Sequence, residues 1–308
     1  MTNRRPLKVG IQLPEVEREV RWPEILDMAR AIEDRGFDSV WVGDHLLYRW
    51  ADRDPRGPWE AWTMLAALAA ATSRVAIGPL VACTAFHAPA MLAKQAATVD
   101  EISGGRLIVG LGAGWNETEF RAFGFPYDHR VDRFEEAFTI IRSLLQDGKV
   151  DFEGRFYSAR DCELLPRPSR PGGPPMLIGS NGPRMLRIAL PHADAWNSWY
   201  ADTGNAPQGV ARLRTIVDDA CRDVGRDPAQ VERTVAVQVQ LPGGSGRVMG
   251  DDASGEAPKP LTGSAETIAA ALRAYADEGI GHVQLVVDPI TRHSMEQPAP
   301  VLEALDQA

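Results

Sequence analysis

Little in this 308-residue chain is built for stapling. It has three cysteines, Cys83, Cys162 and Cys221, widely spaced and without a Cys-x-x-Cys pair. That pattern argues against a disulfide framework and a zinc site, and it fits a reducing cytoplasm. No apolar run approaches the roughly 20 residues that a membrane-spanning helix needs. Basic residues near the N-terminus are not followed by an apolar stretch, so no signal peptide is expected. Dense Lys/Arg runs are also missing: 42 acidic residues face 33 basic ones, for a net charge of −9. Nucleic acid and acidic membrane surfaces are therefore poor partners. Neither a His-Glu-x-x-His metal motif nor a Gly-x-Ser-x-Gly nucleophile elbow occurs, and His, Asp and Glu do not cluster at ligand spacing. No metal is expected.

What is present is alternation. Short apolar or β-branched runs fall at Val9–Leu13, Ser39–Val42, Val75–Gly78, Leu107–Leu111, Met176–Ile178, Ala195–Asn197, Val235–Val239 and His282–Val287. Most are bounded by Gly or Pro and are too short for helices. Helical patterns lie between them. One starts at Trp22-Pro23, buries Ile25, Ala29 and Ile32, and stops at Gly36. Others run from Pro58 to Ala71, from Pro89 onward, and through Val131, Phe134, Phe138, Ile141 and Leu145 to Gly148. Further patterns cover Pro183–Leu190, Val210–Cys221 and Ile268–Ala276. Eight strand–helix units over about 250–300 residues predict an α/β fold, a closed TIM (β/α)8 barrel. An open doubly wound sheet is the alternative. The chain reads as a single domain over 1–308 with insertions after strands 4 and 7. The first insertion, 112–175, holds a hairpin at Val150–Tyr157 turning at Glu153-Gly154, and the second is 242–263.

Chemistry concentrates where strands end in loops, the place where parallel β/α proteins bind ligands. Gly110-Leu-Gly-Ala-Gly114 has Gly-x-Gly-x-Gly spacing rather than the dinucleotide Gly-x-Gly-x-x-Gly. The acid that follows, Asp132, lies inside a helical pattern, which disfavours a ribose-capping role. A tight turn without ligand is the bland reading of the glycines. Trp115-Asn116 directly after them favours a wall for a flat heterocycle. Asp44-His45 follows strand two, where a histidine can exchange a proton near neutral pH. The competing reading is a histidine that orders the 46–57 loop. Ile178-Gly-Ser-Asn-Gly-Pro-Arg184 reads either as a phosphate seat, with Arg184 nearby, or as a plain turn. Trp199 is a candidate pocket residue.

Taken in order, several blocks resemble the luciferase-like monooxygenase superfamily, in particular its branch of oxidoreductases using the deazaflavin F420. They are Val42-Gly-Asp-His45, Ala88–Asp100, Ser103–Trp115, Phe152-Glu-Gly-Arg-Phe-Tyr157, Pro175–Pro183 and Ala193-Asp-Ala-Trp-Asn197. The resemblance covers nearly the whole chain. It implies a TIM barrel with the cofactor, F420 or alternatively FMN, across the mouth. The ring would rest on a bulge after strand three that carries a non-proline cis peptide in many members, here matched by Leu80–Val81. Gly78-Pro79 makes a bulge plausible on local grounds as well. By resemblance His45 is the acid/base group, with Asp44 beside it to orient it or touch the ring. Leu80, Val81, Thr84, Trp115 and Asn116 would meet the cofactor, and Gly179, Ser180, Asn181 and Gly182 its phosphate. Some sugar-phosphate dehydrogenases of this branch carry a glutamate where this chain has Trp115, so that substrate class is disfavoured. The reaction implied is hydride transfer between F420 and a small organic substrate, in a cytoplasmic enzyme and possible homodimer. The alternatives are an FMNH2-dependent monooxygenase and a non-catalytic flavin-binding protein.

Overall fold

A computed structural model describes residues 5–247 and 258–307. Eleven strands occur among them. β1 (Lys8–Gln12), β2 (Ser39–Val42), β3 (Ala76–Pro79), β4 (Ala82–Cys83) and β5 (Val109–Gly112) come first. β6 (Lys149–Glu153) and β7 (Ser158–Glu163) form a separate antiparallel hairpin. β8 (Met176–Gly179), β9 (Ala195–Ser198), β10 (Glu232–Gln240) and β11 (His282–Asp288) complete the series. The main sheet runs β3-β2-β1-β11-β10-β9-β8-β5-β4, and every pair in it is parallel.

β3 and β4 are two halves of one barrel strand. β3 pairs with β2 and β4 pairs with β5, while an Ile77–Leu107 bridge closes the ring below the break. The eight expected strands are all present as the (β/α)8 barrel; the third is split rather than continuous, with a cis peptide at Leu80–Val81. The seventh is longer at both ends than its apolar run, because Glu232, Arg233 and Gln240 extend the ladder as polar residues.

Among the described residues ten α-helices surround the barrel: α1 (Trp22–Asp34), α2 (Ala61–Ala71), α3 (Pro89–Ser103), α4 (Glu117–Phe123), α5 (Arg130–Gln146), α6 (Pro183–Ala189), α7 (Pro207–Asp223), α8 (Ala265–Asp277), α9 (Arg292–Glu296) and α10 (Ala299–Asp306). Local chemistry sets their ends. α1, α3, α6 and α7 carry proline in the first turn, where its missing N–H costs no helix bond. α2 starts at Ala61 rather than Pro58 because the Glu60 carboxylate caps it, accepting from the Trp62 and Thr63 amides. α4 was not expected, since seven residues give too little periodicity to read. The hairpin is longer than Val150–Tyr157, though Gly154 N–H does bond Tyr157 O at its turn. Residues 248–257 of the second predicted insertion lie outside the described residues. No described helix is long and apolar enough to cross a membrane.

Strand alternation divides the apolar residues. Val9, Ile11 and Leu13 join the main core with the helices, whereas Gly10 and Gln12 face the barrel interior. Trp41, fully buried, fills that interior with Leu177, Ala236 and Val286. A Cβ on Gly78 would lie 2.9 Å from the Trp41 ring, so glycine there makes the room. The lower interior is polar. His282 Nε2 and Ser39 Oγ share a 2.7 Å bond, and the Trp41 indole N–H donates to the same Oγ.

Burial, with a smaller contribution from Lys8, pushes His282 down to about 3. The folded state thus binds fewer protons here than the unfolded chain. Stability is expected to fall as pH drops below the ordinary histidine range near ~6.5, the loss growing toward about 3. Urea unfolding at pH 7, 5 and 4 checks this against His282→Gln, which should show the shallower acid loss.

Candidate active site

The loops leaving β1, β2, β5, β9 and β10 converge at the C-terminal mouth. His45, on the loop after β2, is held from the β5 side: its Nδ1 lies 2.8 Å from Glu119 Oε1. Glu119 belongs to α4 and is 1% exposed. Its other oxygen accepts the Leu46 amide at 2.7 Å and the Leu47 amide at 3.3 Å. With Nδ1 committed, Nε2 is the nitrogen left to act; it lies 3.6 Å from Glu15 Oε1. Burial pulls the His45 pKa down, but Glu15, Glu119 and Asp44 outweigh it and leave it above the ordinary value. The ring packs against Tyr48 and meets Trp115 edge-on at 5.6 Å.

Glu15 anchors a second cluster. Its Oε1 accepts the Tyr48 hydroxyl, and its Oε2 accepts from Gln12 Nε2 at 2.6 Å and from an Arg247 terminal nitrogen at 2.9 Å. Arg247 Nε lies 2.7 Å from Glu17 Oε1, and its guanidinium sits 5.3 Å from the Trp199 ring centre. Burial would raise the Glu15 carboxyl, but His45, Arg247 and Tyr48 hold it below the usual value. Tyr48 is pushed well up by burial and by that carboxylate. A Cβ on Gly43 would lie 2.5 Å from Glu15 Cδ, so only glycine at strand-end position 43 leaves this carboxylate its place. Beyond it a cavity of about 280 Å³ opens, walled by Ile25, Val42, Trp59 and Met64.

The structure sorts the expected site residues. His45 and Trp115 meet at the mouth, and Trp115 is 39% exposed there. Trp199 lies beside the Arg247 guanidinium, which in turn bonds Glu15. Asp44 does not orient His45: its Oδ2 accepts the Cys83 amide and lies 2.8 Å from His87 Nε2, tying the β2 loop to the split strand. Glu119 does the orienting. Thr84 is buried with its hydroxyl on Gly112 O, and Asn116 is buried with its amide on Leu47 O, so both side chains brace loops. Leu80 faces the barrel interior at 8% exposure. Val81 lies over the glycines; a Cβ would fall 3.0 Å from it at Gly110, 2.8 Å at Gly112 and 2.9 Å at Gly179. The Gly-x-Gly spacing therefore makes room for the split strand.

In the 179–182 loop, Ser180 O accepts the Trp196 indole, Asn181 Nδ2 donates to Ser198 Oγ, and Gly182 is exposed. Asn181 Oδ1 is buried without a partner. Arg184 is turned away from any seat there, toward Asp132 and Glu135 of α5. Among the described residues no His/Cys/Asp/Glu group could hold a metal. Cys83 is buried, and burial and Asp44 push its thiol up, away from the thiolate form.

Glu15, Glu119, Gln12, Tyr48 and Arg247 were not expected. Position was the available signal for Glu15, which follows strand one at the functional end.

Comparison with known proteins agrees with this architecture. The family model described as luciferase-like monooxygenase matches residues 8–242. An F420-dependent glucose-6-phosphate dehydrogenase of Microbacterium testaceum is 32% identical over 70% of this chain and 63% of its own length. Pyrimidine monooxygenase RutA of Cronobacter sakazakii is 34% identical over 54% of this chain and 50% of its own. The matches thus span about half to two-thirds of these curated relatives. An F420-dependent secondary alcohol dehydrogenase, solved with an F420–acetone adduct, superposes with a TM-score of 0.81 at 22% identity, over 97% of this chain and 99% of that one. The fold is shared over nearly all of the chain, and the protein belongs to the luciferase-like monooxygenase family.

Proposed function

We propose that this protein is an F420-dependent oxidoreductase transferring a hydride between the deazaflavin and a small organic substrate at the barrel mouth. The observation that carries the reading is His45 at the strand-two end, its Nδ1 fixed by Glu119 and its Nε2 3.6 Å from Glu15 Oε1. Relatives that use F420 support the choice of cofactor.

The residues present fit such a group. Leu80 and Val81 would back its ring system and Trp115 would edge it. The Gly179–Gly182 loop would take its polar tail, where Asn181 Oδ1 is an orphaned acceptor suited to a hydroxyl or amide donor. When bound, the deazaflavin supplies the carbon that accepts or gives the hydride, so the protein's work is positioning and proton handling. His45 Nε2 holds the proton of the substrate oxygen. The carboxylates around it keep it protonated to a higher pH than a free histidine, matching its acidity to work near neutrality. Glu119 fixes the ring so that Nε2 needs no reorientation.

Titration with F420 is expected to quench or shift the cofactor's fluorescence at micromolar concentration. Tight FMN binding with no F420 response overturns the reading. It would instead favour an FMN-dependent monooxygenase, the reading that the pyrimidine monooxygenase relative supports.

A further inference from the structure

Gln12 and Arg247 both bond the same oxygen of Glu15; Gln12 Oε1 is left without a hydrogen-bond partner, and on Arg247 Nε keeps only its ion-pair contact to Glu17 while the second terminal nitrogen, Nη1, has no partner. Gln12 is 1% exposed and Arg247 7%. The Gln12 amide orientation is fixed by chemistry, since only its NH2 can donate to a carboxylate. Its oxygen must therefore point elsewhere. Gln12 follows Gly10 on the interior face of β1, so it occupies the uppermost interior layer, opposite Trp41 in the register. Arg247 reaches the same carboxylate from the loop after β10, close to the Trp199 ring. One free acceptor and one free donor thus flank Glu15 at the top of the barrel. Buried polar atoms of this kind are costly unless something satisfies them.

The charge balance selects what that is. Arg247 faces two carboxylates, Glu15 and Glu17, and Asp44 and Glu119 lie across the mouth. The guanidinium is already outnumbered, so an added anion meets uncompensated negative charge in a desolvated place. A neutral group that both donates and accepts suits both free atoms.

We infer that Gln12 Oε1 and Arg247 Nη1 form a substrate subsite for an uncharged carboxamide or hydroxyl, and that the site rejects phosphorylated and carboxylated substrates. This rests on the oxidoreductase reading, because it makes the mouth the substrate site. It also sets this chain apart from its sugar-phosphate-oxidising relatives.

Acetamide and acetate are matched in shape and differ in charge and donors, which makes them the probes. Ligand-observed NMR titration of the protein at pH 7 is expected to give acetamide at least ten-fold tighter binding than acetate. A crystal grown with acetamide should show its oxygen on Arg247 and its NH2 on Gln12. Gln12→Met, which removes the acceptor at similar volume, should weaken acetamide about ten-fold. Acetate binding as well as acetamide overturns the inference. So does only a water between the two atoms, or no binding of either probe. Failure of the parallel F420 titration would count against the cofactor reading alone, since the probe experiments need no cofactor.

Discussion

Glu119→Gln is expected to lower the titration midpoint of His45 and to cut F420-linked turnover by about 10²–10⁴-fold, the range carried by a positioned acid or base. The substitution keeps the side chain's size but removes its charge from a 2.8 Å contact with Nδ1. Burial, which already opposes the imidazolium, then meets less opposition from Glu15 and Asp44 alone. His45 should lose its proton at lower pH, and the pH–rate profile should move the same way. NMR of the His45 ring follows this without any substrate. An unchanged midpoint would remove Glu119 from the proton-handling apparatus. Glu119→Ala should do more, because the Leu46 and Leu47 amides lose their acceptor as well. A stability loss of about 1–3 kcal/mol is the scale for such orphaned groups.

Gly112→Ala and Gly179→Ala are each expected to destabilise the fold by about 1–3 kcal/mol, the usual scale of overpacking. At both positions the new methyl would fall within 3 Å of Val81 and meet nothing else as close. Because one side chain is the whole obstacle, Val81→Ala should recover most of the loss in either background. A double-mutant cycle on denaturant midpoints reads that coupling. F420 affinity should fall with Gly112→Ala and Gly179→Ala, since displacing Val81 displaces the proposed platform. Additive losses, with no recovery, would mean that the glycines serve something other than Val81.

The two variants also show where sequence reasoning reached and where it stopped. Alternation of short apolar runs with 3.6-period stretches was enough for the barrel, because each strand face and helix stripe is a local pattern. His45 was legible because a histidine at a strand end is rare and chemically pointed. Glu119 was not. In Glu117-Thr-Glu-Phe it looks like one more acid on an amphipathic helix, and nothing local marks it as 1% exposed. Glu15 sits in Pro-Glu-Val-Glu-Arg-Glu, which reads as a solvated charge run until Arg247, 232 residues away, closes over it. The glycines at 110 and 112 were visible, but their reason was not. Local spacing points to a ligand turn, while the structure places a neighbouring strand's side chain against them. Asp44 was seen beside His45 in sequence, yet adjacent residues in an extended loop diverge, and its carboxylate went to Cys83 and His87.

The carboxylates of Asp44 and Glu119 together bind the loop after β2 to the split strand and to α4. Asn116 and Thr84 add two more ties among the same segments. The conformational entropy of ordering this part of the rim is therefore lost when the chain folds, not when a ligand arrives. Less of the gross contact energy is then consumed in arranging His45, and more of it remains to discriminate one substrate from another. On that thermodynamic view, affinity differences among substrates are expected to originate around Arg247 and Trp199, where the proposed subsite lies.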